Sequence, residues 1–229
     1  GFDWPESTPA AESVDAAQLD LAADVMLGWP RWHSLLVVRN GKLVYERYSP
    51  GWNGTQGNCV KSTSKSILAA AYGRAWEQGH IPDLNATVKS YLPGYFAGQD
   101  PAKDAITIAH LMTMTAGLEW DEVNSVGPLV SSPDWGQWVV DQPLVSTPGA
   151  VFDYSTGLTH LASILLEAAT GQPTREYMQQ ELYEPLGISF TRWDVDPQGF
   201  DFGGAEVWIR PRDMARFGQV ILDDGMADG

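Results

Sequence analysis

Residues 34–48, SLLVVRNGKLVYERY, constrain the fold of this chain more than any other stretch. Two β-rich runs flank Asn40-Gly41, the dipeptide suited to a two-residue type I′ turn, in which both central residues need positive φ. The pattern predicts a long antiparallel hairpin. A hairpin alone is marginal in water, so it must gain strands or be covered by helices. The rest of the chain offers mostly helices. Periodic apolar stretches with start and stop signals cover residues 13–27 (Ser13 as N-cap, Gly28 as stop), 62–77 (closed by Gly79), 107–117, 156–171, 174–187 and 210–225, the last with Pro211 just inside its start. Shorter helices are expected near 85–92 and 134–140. Residues 1–12 read as an arm, and 118–150 as irregular apart from the short helix. Only GGAEVWI, residues 203–209, reads as further strand. The resulting order is a helix, one hairpin and a long helical region, an α+β arrangement short of strands.

Composition excludes several function classes. The chain has 229 residues, 44% hydrophobic and 19% charged, and carries 29 acidic against 14 basic side chains for a net charge of −15. That balance opposes binding to a nucleic-acid backbone or to anionic lipid, both of which need a basic footprint. No apolar run approaches the ~20 residues that span a bilayer. Cys59 is the only cysteine, so neither an intrachain disulfide nor a paired-cysteine metal site can form. His33, His80, His110 and His160 never take HExxH spacing and read as structural or surface residues. The chain opens at Gly1 without a methionine, which suggests that something upstream was removed.

The candidate chemistry lies in KSTSKSIL, residues 61–68, which holds two of the five lysines. Ser62 and Lys65 stand three apart at the start of a helical pattern, so their side chains share a face. Backbone N–H groups are unpaired there and the helix dipole is positive. That field helps a serine lose its proton and, with burial, favours the neutral amine a base requires. Ser62 as a cap with Lys65 reaching to water is the bland alternative, and four residues alone do not exclude it. Lys61 reads as solvent-facing and Cys59 as packing. Ser155, in D-Y-S-T-G, lacks the first glycine of G-x-S-x-G and reads as a helix cap.

VKSTSKSILAAAYGRAWEQGHI resembles the nucleophile segment of the serine β-lactamase-like and penicillin-binding superfamily, in particular its class C-type branch of esterases, D-aminopeptidases and 6-aminohexanoate-dimer hydrolases. ITIAHLMTMTAGLEW, TPGAVFDYSTGLTHLASILLEAATG, YMQQELYEPLGISFTRW and RPRDMARFGQVILDDG resemble later landmarks of that branch in the same order. The resemblance implies a β-lactamase-like α+β fold, an antiparallel sheet flanked by helices plus a mostly helical domain. Residues 1–60 would form the first part of the sheet domain, 61–200 the helical domain, and 201–229 the return toward the sheet. It implies catalysis by Ser62, Lys65 and Tyr154 through an acyl-enzyme, without cofactor or metal, on a small ester or linear amide. Tyr154 precedes a helix, where a positive end and nearby Lys65 would favour its phenolate. Thr156 stands where class C β-lactamases carry the Asn of Tyr-x-Asn, which points away from true β-lactamase activity. Trp120, Trp135 and Trp138 are candidates for the substrate pocket together with Thr156, because loops over a rigid scaffold often line sites.

The same resemblance implies a further block of three strands and a helix after the last helix, bearing K-T-G or H-x-G and a second oxyanion donor. The sequence closes on DDGMADG without that motif. The expectation is that a continuation or a second chain supplies the block and pairs with the hairpin. A non-hydrolysing relative that binds penicillin-like or cell-wall ligands is the alternative function. A secreted or periplasmic location is expected, with a cytoplasmic one as the alternative.

Overall fold

The protein, seen as a computed structural model, is described over residues 3–226. In chain order its elements are α1 (Ala16–Leu27), β1 (Ser34–Arg39), β2 (Lys42–Tyr48), β3 (Asn58–Cys59), α2 (Ser64–Glu77), α3 (Val88–Tyr91), α4 (Ile108–Met112), α5 (Glu122–Ser131) and α6 (Trp135–Asp141). There follow α7 (Thr156–Thr170), α8 (Thr174–Met178), β4 (Phe190–Trp193), β5 (Val207–Ile209) and α9 (Pro211–Leu222). Two compact units divide the chain. One runs to Cys59 and includes Tyr183–Arg192 and the segment from Trp208 onward; the other comprises Val60–Leu182 and Trp193–Val207. No helix among the described residues is long and apolar enough to cross a membrane.

The first unit contains the expected hairpin. Asn40 and Gly41 have φ of 52° and 72°, Arg39 pairs with Lys42 beside the turn, and Ser34 pairs with Tyr48 at the open end, with a bulge between Val37 and Val38. α9 packs against β1. Residues 3–12 are not a free arm. Leu43 N–H donates to Pro5 O at 2.8 Å and Ser7 N–H to Leu43 O at 3.1 Å, a parallel bridge on the outer edge of β2. The edge offers unpaired backbone groups, and the segment satisfies them. Trp4 is buried with it, its indole N–H donating to Arg212 O at 3.0 Å. Glu12 ties the segment to the hairpin turn by accepting from Lys42 Nζ at 2.7 Å and Asn40 Nδ2 at 2.9 Å. The cap of α1 also differs from expectation. Asp15 accepts from the N–H groups of Ala17 and Gln18, whereas Ser13 takes a left-handed φ of 58° and closes a 3-10 turn at Ala10–Glu12.

A second, three-stranded sheet of order β3-β5-β4 supplies strands that the sequence pattern concealed. β3 and β4 are two and four residues long, too short to establish a period of two.

The second unit is built around α7. Residues 156–166 are buried throughout, and α2, α3, α4, α5, α6 and α8 all pack on this helix. A helix buried on every side belongs in the middle of a bundle, and its buried polar side chains at Thr156, Thr159, His160 and Ser163 sit among the apolar ones. Ser155 caps it, accepting from Leu158 N–H at 3.1 Å, and Gly171 ends it at φ 76°. Gly157 is required by packing, since a Cβ there would stand 2.5 Å from the Trp120 ring. The stretch expected to be irregular contains α5, capped by Asp121 and continuing through Pro128. The proline leaves only the Asn124 carbonyl without its partner, and the helix ends three residues later. Residues 174–187 form a shorter helix than expected: α8 passes into a π-helical turn at Gln179–Tyr183.

Candidate active site

Ser62 does not lie in the α-helix. It occupies a 3-10 turn, Lys61–Thr63, immediately before α2, with Lys61 in a left-handed conformation at φ 48°. Buried Ser64 fastens this turn: its Oγ donates to Lys61 O at 2.6 Å and accepts from Val207 N–H at 3.3 Å. Val60 N–H donates to Val207 O at 2.9 Å, and Lys61 Nζ reaches Glu206 at 2.6 Å. Ser62 is thereby held at a fixed height beside the first turn of α2.

Lys65 stands on that first turn and its Nζ meets three oxygens. Ser62 Oγ lies at 3.2 Å, Thr156 Oγ1 at 3.0 Å and Gly204 O at 2.6 Å. Tyr154 offers its ring face, with Lys65 Nζ 5.0 Å from the centroid, inside cation–π range. Its ring is partly open to solvent, on a loop anchored by Asp153 N–H donating to Met114 O at 2.9 Å. The structure thus gathers Ser62, Lys65, Tyr154 and Thr156 around one ammonium or amine group.

Two features of the cluster were not read from the sequence. Gly203-Gly204 runs against the first turn of α7. A Cβ on Gly204 would stand 2.5 Å from Thr156 Cγ2 and 2.8 Å from Thr156 O, and one on Gly203 2.3 Å from Thr159 O. Only glycine lets this backbone come close enough to present its carbonyl to Lys65. The second is Glu122, the first residue of α5. It accepts from Thr156 Oγ1, from Thr156 N–H at 3.0 Å and from Trp120 Nε1 at 2.7 Å. The double glycine opens GGAEVWI, where the pattern predicts strand; nothing local marks Glu122 for the site, because the threonine it holds lies 34 residues away.

The Beta-lactamase family model matches residues 33–228. The chain belongs to the beta-lactamase family. Among its curated relatives, esterase EstB of Burkholderia gladioli is 27% identical over 209 residues, covering 79% of this chain and 53% of that protein. The 6-aminohexanoate-dimer hydrolase of Paenarthrobacter ureafaciens is 25% identical over 212 residues, 86% of this chain and 53% of that protein. The chain therefore spans about half the length of the curated relatives it matches (53% in both cases). Among solved structures, EstCE1, a hydrolase with promiscuous acyltransferase activity, superposes with a TM-score of 0.73 at 19% identity, over 96% of this chain and 75% of that one. That likeness shows the shared fold.

In this beta-lactamase-family chain the three candidate tryptophans part company. Trp120 is tied to Glu122 and packs over Gly157, and Trp138 meets it edge-on at 5.9 Å. Trp135 belongs to a separate buried cluster, against His160 at 5.2 Å and Phe202 at 4.9 Å. Within that cluster His160 Nε2 lies 3.1 Å from Asp196. Burial pushes the Asp196 carboxyl up, but hydrogen bonds from His160 and from the N–H groups of Phe200 and Gln198 outweigh it and hold the group below its usual range. Thr156 is 4% exposed, so its hydroxyl faces Lys65 and Glu122 rather than open solvent. Among the described residues no group of three or more His, Cys, Asp or Glu side chains could hold a metal ion.

Proposed function

We propose that this chain carries the nucleophile of a serine hydrolase that cleaves small esters or linear amides through an acyl-enzyme on Ser62. The observation that carries the reading is the 3.2 Å separation of Lys65 Nζ from Ser62 Oγ, hydrogen-bonding reach between a nucleophile and its base. Ser62 Oγ attacks the substrate carbonyl carbon while its proton passes to neutral Lys65. Collapse of the tetrahedral adduct breaks the bond to the leaving group, which takes that proton as it departs. Water, giving its proton to the same base, then attacks the acyl carbon and releases the acid, and Ser62 recovers its proton. Tyr154, face-on to Lys65, stabilises the ammonium formed at each transfer. The esterase and dimer-hydrolase names of the relatives support the substrate class.

The test is hydrolysis of a short-chain p-nitrophenyl ester by the wild type and by Ser62→Ala. Turnover by the wild type that disappears in the variant is the expected result. Equal rates in the two proteins would overturn the assignment of Ser62.

A further inference from the structure

We infer that Glu122 is a positioning residue: through the Thr156 hydroxyl it aims the lone pair of Lys65 at Ser62. The inference rests on the hydrolase reading above and adds to it a residue outside the serine–lysine–tyrosine set.

The argument is one of proton counting. A threonine hydroxyl has one proton to donate, and a carboxylate or a backbone carbonyl only accepts. Thr156 Oγ1 gives its proton to Glu122 Oε1. Toward Lys65, 3.0 Å away, it can then only accept. Gly204 O, at 2.6 Å, likewise can only accept. A neutral amine has two N–H bonds and one lone pair. Both N–H bonds are committed to Thr156 and Gly204, so the lone pair is left for the third neighbour, the Ser62 hydroxyl at 3.2 Å. That is the direction a general base needs. With Glu122 removed, the Thr156 hydroxyl is free to turn its proton onto the Lys65 lone pair and take the base out of service.

Glu122 is itself firmly placed. Its carboxylate holds Thr156 by both side chain and backbone N–H, and holds the indole of Trp120, which packs over Gly157 one residue further along α7. It sits at the starts of α5 and α7 together, where the positive ends of both helices favour an anion. The Thr156 hydroxyl is thus locked in one sense of donation.

The test combines Glu122→Gln, Thr156→Val, Thr156→Ser and the Glu122→Gln/Thr156→Val double variant, with acylation by a p-nitrophenyl ester followed at one neutral pH. Misdirecting the base should slow acylation on the order of a hundredfold in Glu122→Gln and in Thr156→Val. The double variant should be no slower than Thr156→Val, because the two residues act in series. Thr156→Ser should recover most of what Thr156→Val loses. Additive losses, or a lower Tm with acylation unimpaired, would mean that Glu122 merely holds α5 to α7, and would overturn the proposal. A second readout needs no substrate. With five lysines in the chain, 13Cε-lysine NMR resolves Lys65 directly. Its signal should respond to Glu122→Gln in the wild-type background, and by less than half as much in the Thr156→Val background. No response, or equal responses, overturns the relay. Failure of the wild type to acylate would instead strike the hydrolase reading, while the NMR comparison still decides the relay.

Discussion

Replacing Gly204 by alanine tests the packing on which the site depends. The added Cβ would stand 2.5 Å from Thr156 Cγ2 and 2.8 Å from Thr156 O. The nearer contact is roughly 1 Å inside ordinary carbon–carbon separation of about 3.5–4.0 Å. Thr156 cannot give way easily. It opens the central helix α7, is buried, and is held by Glu122 on two sides. The displacement therefore falls on the Gly203-Gly204 backbone, and a shift of that size takes Gly204 O from 2.6 Å out of hydrogen-bonding reach of Lys65. Overpacking of this kind destabilises a fold by about 1–3 kcal/mol. A base misplaced by about 1 Å loses on the order of a hundredfold in rate. Ester hydrolysis and thermal unfolding of Gly204→Ala should show both effects, with the rate loss persisting well below Tm. Full activity at an unchanged Tm would refute the close approach and, with it, the role of the Gly204 carbonyl.

Other outcomes follow from the same structure. Gly73, on the exposed face of α2, has nothing within 4 Å of a built Cβ, so Gly73→Ala should raise stability by roughly 0.5–1 kcal/mol in a denaturant titration and leave ester hydrolysis unchanged. Lys65→Ala should lower kcat by about 10²–10⁴ with the circular dichroism spectrum preserved, and a loss of less than about tenfold would remove Lys65 as the base. Hydrogen bonds from Lys42, Asn40 and Ser7 hold the Glu12 carboxyl down to about 2. Because the folded-state value is depressed, its stabilisation is present above the unfolded value of about 4.3 and is lost as pH falls from there toward about 2. The Tm gap between wild type and Glu12→Gln should accordingly be constant near neutrality, narrow below pH ~4 and close near pH ~2; a gap independent of pH would contradict the pairing.

What the sequence disclosed was local in its physical cause. The hairpin rests on one dipeptide whose φ values are fixed by sterics, and α7 on a cap, a periodic apolar pattern and a terminal glycine. Ser62 and Lys65 could be paired because three residues of a helical turn bring them together, and the α+β class followed from the element order. Signals with a competing reading misled. The scattered Trp, Pro and Asp of residues 118–150 suggest an irregular stretch, yet α5 forms there, and Ser13 looks like the cap that Asp15 provides. Long-range consequences were invisible. Residues 3–12 dock because the β2 edge needs partners, β3 and β4 are strands only because β5 lies between them, and Glu122 matters only because α7 starts beside it. Trp135 carried no mark separating a buried cluster residue from a pocket wall; that distinction lies in its contacts with His160 and Phe202.

The most direct test of the central claim is the site of covalent capture by a serine-directed fluorophosphonate, read by intact mass and peptide mapping. The account predicts one added phosphonyl group, on Ser62, formed at neutral pH and slowed by Lys65→Ala. Labelling of another serine, or labelling of Ser62 at a rate indifferent to Lys65, would contradict it.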